Sequence, residues 1–225
     1  MSDSKTTRTF KDAVYEHLAT VGKALSSSTR LEILEVLSQA PRTVESIAGQ
    51  VDQSVANTSH HLQALKRARL VTSTRDGLYV IYSLSGDDVA ALLGQLNEVA
   101  SQHIDDLEQL CRAFFDAREG LEAIGKETLL ERLREGEVVL IDVRPEEEYD
   151  SGHLPGALSV PVEALEARIA DLPRDRTIVA YCRGPYCALS AEAVKRLREE
   201  GFEALRTEVS VSDWSDESTS GVSGL

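Results

Sequence analysis

Residues 177–200 read Thr-Ile-Val-Ala-Tyr-Cys-Arg-Gly-Pro-Tyr-Cys-Ala-Leu-Ser-Ala-Glu-Ala-Val-Lys-Arg-Leu-Arg-Glu-Glu. The first five are a β-rich apolar run, and from Ala188 the residues Leu189, Ala193, Val194 and Leu197 recur at helical spacing. A tight loop must therefore join a buried strand to a helix. A helix start offers unpaired N–H groups and the positive end of the dipole, so Cys182, first in the loop, is expected to be a partly accessible thiolate. Arg183 adds a positive charge beside it, and Gly184, Pro185 and Tyr186 complete the loop up to Cys187. Cys187 either packs as a small apolar side chain or offers a second sulfur near the first.

Upstream, Val139-Leu140-Ile141-Asp142-Val143-Arg144 reads as a strand, followed by Glu148-Tyr149 and Gly152-His153-Leu154-Pro155-Gly156-Ala157. Together with Tyr-Cys-Arg-Gly-Pro-Tyr-Cys, in this order, these motifs resemble rhodanese domains. The resemblance implies that Cys182 takes up sulfane sulfur as a persulfide and passes it to a thiophilic acceptor. Asp142 and Arg144 are read as a supporting hydrogen-bond and ion-pair set under the loop, His153 as a structural hydrogen-bonder, and Glu146-Glu147-Glu148 as a solvated face. Many rhodaneses have an arginine five residues after the nucleophile, where this chain has Cys187. A loop with one basic side chain holds a dianionic donor less well.

The formal net charge of −14 opposes nucleic-acid binding until it is divided. Residues 1–115 carry 11 Lys and Arg against 14 Asp and Glu, whereas residues 116–225 carry 13 against 24. Between Asp52 and Asp76 there is no acidic residue, while Lys66, Arg67, Arg69 and Arg75 form a local basic patch. At 225 residues the chain is long enough for two domains. No run approaches the roughly 20 apolar residues of a membrane span, and the start lacks the core of a signal peptide, so a soluble, cytoplasmic protein without a membrane partner is expected. Three cysteines, an odd number, predict reduced thiols, with Cys111 in a core role. No cofactor is expected, and no metal, since Cys182 and Cys187 have no second ligand pair near them in sequence.

In the first half, Phe10, Val14, Leu18, Val21 and Leu25 predict an amphipathic helix. A second helix is expected after Ser26-Ser27-Ser28 and ends before Pro41; a third, capped by Thr43, runs over Val44 to Val51. The fourth, from about Val55 to Arg69, places Val55, Leu62, Leu65 and Ala68 inward. Its exposed face is expected to be Asn57, Thr58, His60, His61, Gln63 and Lys66, with Ser59 and Arg67 nearby. Short polar groups early and cations late suit a recognition helix that reads bases and holds phosphates. Two strands joined by Asp76-Gly77 then predict a hairpin, with Arg75 at its tip. Ser59-His60-His61-Leu62-Gln63-Ala64-Leu65 followed by this hairpin resembles the winged-helix repressors of the ArsR/SmtB family. That likeness implies a homodimer on double-stranded DNA with a palindromic operator. The residues of the metal-sensing members are absent: Thr43 to Val51 contains no cysteine.

A fifth helix, from Asp87 to Arg118, is expected to carry one apolar stripe from Val89 to Phe115 and to meet a second chain. The fold class is thus two domains, a mainly α winged helix-turn-helix over 1–118 and an α/β rhodanese-like parallel sheet over 126–216, with a linker over 119–125 and a polar tail over 217–225. The leading expectation is a DNA-binding repressor responding to sulfane sulfur or thiol oxidation, the donor being a persulfide, polysulfide or thiosulfate. The alternative is a sulfurtransferase enzyme that uses the winged helix for targeting or dimerisation.

Overall fold

The computed structural model describes residues 2–116, 123–211 and 214, and its contacts divide the chain into units spanning residues 1–100 and 101–225. The first unit begins with α1 (Ser2–Leu25) and α2 (Ser28–Gln39). The turn between them is closed by Arg30, which donates from Nε to the carbonyl of Ala24 at 2.5 Å and from Nη2 to that of Lys23 at 2.7 Å. These are the orphan carbonyls of a helix end, where a cation is favoured. After β1 (Arg42–Thr43), α3 (Val44–Gln50) starts where Thr43 Oγ1 accepts the Ser46 amide at 3.2 Å, and α4 (Val55–Arg67) where Ser54 Oγ accepts that of Asn57 at 3.2 Å. Arg69 takes a φ of 60°, and the Leu70 amide reaches back to the Leu65 carbonyl at 3.1 Å, the closing bond of a Schellman turn.

The hairpin of β2 (Val71–Asp76) and β3 (Tyr79–Leu84) pairs Asp76 with Tyr79. Its two-residue loop is therefore Gly77-Leu78, one residue later than the expected Asp76-Gly77. The positive φ of 57° that a two-residue loop needs falls on Gly77, and Leu78 at the tip is 97% exposed. β1 adds antiparallel to β3, making a three-stranded sheet that the sequence did not announce. The core beneath it gathers Ile33, Leu34, Leu37, Ile47, Leu62, Leu65, Val71 and Tyr82.

The expected single long helix is two. α5 (Asp87–His103) and α6 (Asp105–Asp116) are separated at Ile104, and their apolar residues do not serve one purpose. Leu92, Leu96 and Val99 of α5 are exposed, whereas Phe115 of α6 is buried in the second unit's core with Cys111 packed against it. The Arg206 guanidinium covers the Phe115 ring at 3.8 Å, a cation–π contact that fixes α6 to its own unit.

The second unit is a five-stranded parallel sheet of order β4-β8-β7-β5-β6. Its elements are β4 (Ala123–Ile124), α7 (Lys126–Arg134), β5 (Val138–Asp142), α8 (Glu146–Ser151), β6 (Leu158–Ser159), α9 (Leu165–Arg168), β7 (Thr177–Tyr181), α10 (Ala188–Glu199) and β8 (Ala204–Thr207). β4 lies inside the segment expected as a linker and pairs with β8; residues 119–122 fall outside the described residues. α9 is a single short turn flanked by 3₁₀ turns over Val162–Ala164 and Ile169–Asp171. β7 is buried at all five positions and flanked on both sides, as the apolar run Thr-Ile-Val-Ala-Tyr demands of a central parallel strand. Beyond β8, Val209 and Ser210 are buried, and Trp214 packs against the cluster that holds Leu129 and Tyr181. The expected polar tail, 217–225, lies outside the described residues.

Candidate functional site

The parallel register sets Asp142 opposite Tyr181, so β5 and β7 finish side by side and both enter loops at the carboxyl edge of the sheet. The β7 loop turns at once. Gly184 takes a φ of 141°, open to glycine, and its carbonyl accepts the Cys187 amide at 3.2 Å, closing a β-turn with Pro185 presetting the backbone at the second position. Cys187 is then the N-cap of α10.

This turn brings the Cys182 and Cys187 Cα atoms to 6.4 Å, within disulfide range, and the two sulfurs are joined. The expectation of three reduced thiols is thus corrected for these two; Cys111 is the free one. Accessibility also differs from expectation. Cys182 is 1% exposed and belongs to the hydrophobic core cluster, while Cys187 is half-buried and Pro185 and Tyr186 are exposed. Cys187 is therefore the more exposed residue of the pair.

Under the loop lies a buried network. Arg144 donates from Nε to Asp142 Oδ1 at 2.9 Å and from Nη2 to Oδ2 at 2.6 Å; its own amide donates to Oδ1 at 3.0 Å, and Nη2 also reaches the Gly152 carbonyl at 2.8 Å. Tyr181 donates its hydroxyl to Asp142 Oδ2 at 2.5 Å and accepts the Leu154 amide at 3.0 Å. Burial, then the Asp142 carboxylate, pushes the Tyr181 phenol far up, so it stays a donor. Burial opposes the Arg144 charge, but the hydrogen bonds and attraction of Asp142 more than restore it.

Arg183 is not simply presented to solvent. It donates from Nη2 to Glu148 Oε1 at 2.7 Å and from Nε to Oε2 at 3.1 Å. Glu148 is fully buried, which corrects the reading of the whole acidic run as a solvated face; Glu146 and Glu147 are exposed. The α8 turn that follows Pro145 directs the third acid inward, and an unaccounted cation at Arg183 was the signal that it needed a partner. His153 contacts the Tyr149 carbonyl through Nδ1 at 3.0 Å and stacks on the Tyr149 ring at 3.8 Å. Cys111 has its thiol pKa raised by burial and then by Glu208, and the same two residues, after burial, raise Tyr186. Cys111 thus stands near the loop's exposed tyrosine.

In the first unit, Asn57, His60, Gln63, Lys66, Arg67 and Arg75 are exposed, and Ser59 and His61 are half-buried. Thr58 is fully buried and leaves the expected DNA-facing set, because it lies four residues before Leu62 and shares that inward stripe. Val55, expected inward, is 45% exposed. Lys66 reaches the wing, donating from Nζ to Ser73 Oγ at 2.6 Å, and Asn57 Nδ2 donates to Gln53 Oε1 at 2.7 Å.

The His61 pKa lies below its ordinary 6.5, first through burial, then through Arg30 and His60. The fold therefore favours the neutral ring, and this stabilisation is complete above pH 6.5 and is lost as pH falls through that value toward the folded pKa. Thermal melts followed by circular dichroism are expected to show a lower midpoint for the first unit at pH 5 than at pH 7, with His61→Gln narrowing the gap.

Residues 126–217 match the model of the rhodanese-like domain, and residues 27–73 that of the bacterial regulatory proteins of the arsR family. The HTH-type transcriptional regulator Rv0324 of Mycobacterium tuberculosis is 41% identical over 204 residues, 91% of this chain and 89% of that protein. A sulfurtransferase of Allochromatium vinosum is 36% identical over 80 residues, 35% of this chain and 73% of that one. Among solved structures, the homodimeric winged helix-turn-helix domain (fragment 1–100) of Mb0332 from Mycobacterium bovis, a possible ArsR-family regulator, is 40% identical, with a TM-score of 0.41, over 43% of this chain and 89% of that one. No described helix is long and apolar enough to cross a membrane. Near-complete coverage by one regulator, with the arsR-family model matched before the rhodanese-like model along this chain, makes the chain a member of the ArsR-family winged-helix transcriptional regulators that carry a C-terminal rhodanese-like domain.

Proposed function

We propose that the protein is a homodimeric repressor that releases a palindromic operator when sulfane sulfur or an oxidant changes the state of the Cys182–Cys187 loop. The observation that carries this reading is the joining of the two sulfurs across a short turn, in a rhodanese-like unit on the same chain as an arsR-type DNA reader. Such a loop has at least three chemical states: dithiol, disulfide, and a Cys182 persulfide or a polysulfide bridge to Cys187. Each repacks a loop seated on the hydrophobic core. A state-dependent shift in the dimer's preference for DNA is the coupling required.

DNA contact is assigned to Asn57, Ser59, His60, His61, Gln63, Lys66, Arg67 and Arg75, and the dimer to the exposed apolar faces of α1 and α5. The test is operator affinity of the reduced protein before and after treatment with a hydropersulfide, in wild type and in Cys182→Ser. Wild type is expected to lose about ten-fold or more, within the usual range of allosteric coupling, and Cys182→Ser to change less than about two-fold. Equal responses in both proteins would remove the sensing role. The likeness to the Allochromatium sulfurtransferase favours a second reading, in which Cys182 turns over sulfur catalytically. Steady turnover with unaltered operator affinity would select it.

A further inference from the structure

The charges at the loop end of the sheet come in matched pairs. Arg144 lies on Asp142, Arg183 lies on Glu148, and Glu148 also attracts Arg144, so two guanidiniums face two carboxylates. Three of these side chains are at most 1% exposed and the fourth, Arg183, is 11% exposed. From Cys182 to Cys187 the sequence supplies no cation besides Arg183. A carboxylate held out of water, gripping that guanidinium with two hydrogen bonds, cancels most of the field Arg183 would otherwise cast over the neighbouring sulfur.

We infer that Glu148 is a positioning residue that selects the sulfur donor. By holding Arg183 and balancing its charge, it keeps the site electroneutral, so that Cys182 draws sulfur from hydropersulfides, which bring at most one charge to the reacting sulfurs, in preference to doubly charged thiosulfate. This rests on the sulfur chemistry proposed above and names its donor class. The reaction is the same displacement in both cases. The reduced Cys182 thiolate attacks the outer sulfur of the donor, one S–S bond forms and one breaks, and the leaving group departs with the electron pair. From a hydropersulfide, Cys182 gains an S–SH group and a thiolate leaves. From thiosulfate, the outer sulfur remains on Cys182 as the ionised persulfide and sulfite leaves with two charges. Stripping water from a dianion without fixed positive charge to replace it is the larger cost, and it falls on thiosulfate alone.

The experiment measures by mass spectrometry the rate at which Cys182 of the reduced full-length protein becomes a persulfide. Thiosulfate and cysteine hydropersulfide are compared at low and high salt, in wild type and in Glu148→Gln, which keeps the shape and removes the charge. Glu148→Gln is expected to raise the thiosulfate-to-hydropersulfide rate ratio about ten-fold at low salt, with the gain shrinking as salt is added. A merely structural role for Glu148 would slow both donors together. In wild type the thiosulfate rate is expected to stay flat or rise with salt, and this measurement decides alone should Glu148→Gln fold poorly. An unchanged ratio, or a wild-type thiosulfate rate that falls steeply with salt, overturns the selection while leaving sulfur sensing intact. Failure of both donors to load Cys182 removes the sulfur reading and this inference with it.

Discussion

Arg144→Met is expected to cost the second unit about 3–5 kcal/mol, the usual penalty for stranding one half of a buried ion pair. The side chains of Arg144 and Asp142 are 1% and 0% exposed, so water cannot replace what the substitution removes. Asp142 would keep the Tyr181 hydroxyl and the backbone amide of residue 144, but would lose its counter-charge and the guanidinium hydrogen bonds, while the Gly152 carbonyl would lose a donor. The measurement is urea denaturation followed by Trp214 fluorescence. The chain has one tryptophan, and it packs against the core of this unit, so its signal reports the unit in question. Combining Arg144→Met with Asp142→Leu should recover part of the loss, because an apolar pair carries no uncompensated charge, while the Tyr181 hydroxyl and Gly152 carbonyl left without partners keep the recovery incomplete. A cost below about 1 kcal/mol for Arg144→Met alone would show that the pair contributes little beyond packing.

Leu96→Glu with Val99→Glu is expected to convert a dimer into monomers and to weaken operator binding by about a hundred-fold or more. Leu92, Leu96 and Val99 recur at four- and three-residue steps on α5 and are 39%, 37% and 54% exposed, while Phe10 and Leu18 of α1 are 68% and 60% exposed. Apolar side chains arrayed along helix faces and left in water are what a partner surface looks like before it is covered. Two carboxylates placed there would have to lose their hydration for the dimer to form. Operator affinity should follow, since two recognition helices on one dimer bind with an effective concentration that a monomer lacks. Because both residues are already wet in the protomer, its thermal midpoint should hardly move. Sedimentation and operator titration check the two halves of the claim, and a monomer that still binds the operator tightly would break the link between them.

The elements most legible in the sequence are those whose periodicity is bounded by a clear stop. The strand ending at Asp142 and that over Thr177–Tyr181 fall where the pattern places them, and Thr43 caps the third helix as expected. Where the structure differs, phase along the helix or a buried partner outweighs residue type: Thr58 is polar, but Leu62 and Leu65 put its position inside, and Glu148 sits in an acidic run yet is buried against Arg183. Two other features had no local signal. β1 and β4 are two-residue strands whose existence depends on a partner edge, β3 and β8, far along the chain. The interruption at Ile104 leaves the apolar spacing intact, so only tertiary contacts reveal that Phe115 serves a different core from Val89. The spacing of Cys182 and Cys187 did put both sulfurs on one short loop, where they are joined, whereas the burial of Cys182 depends on tertiary packing, which spacing alone does not encode.

The placement of α6 bears on how the protein can be dissected. Cutting the chain after the last helical residue before the sheet would send Phe115 away with the DNA reader and leave Arg206 facing an empty slot. A cut at Ile104 instead gives each fragment the aromatic and aliphatic residues its own interior was built around, and the C-terminal piece keeps Cys111 beside the loop whose tyrosine it neighbours.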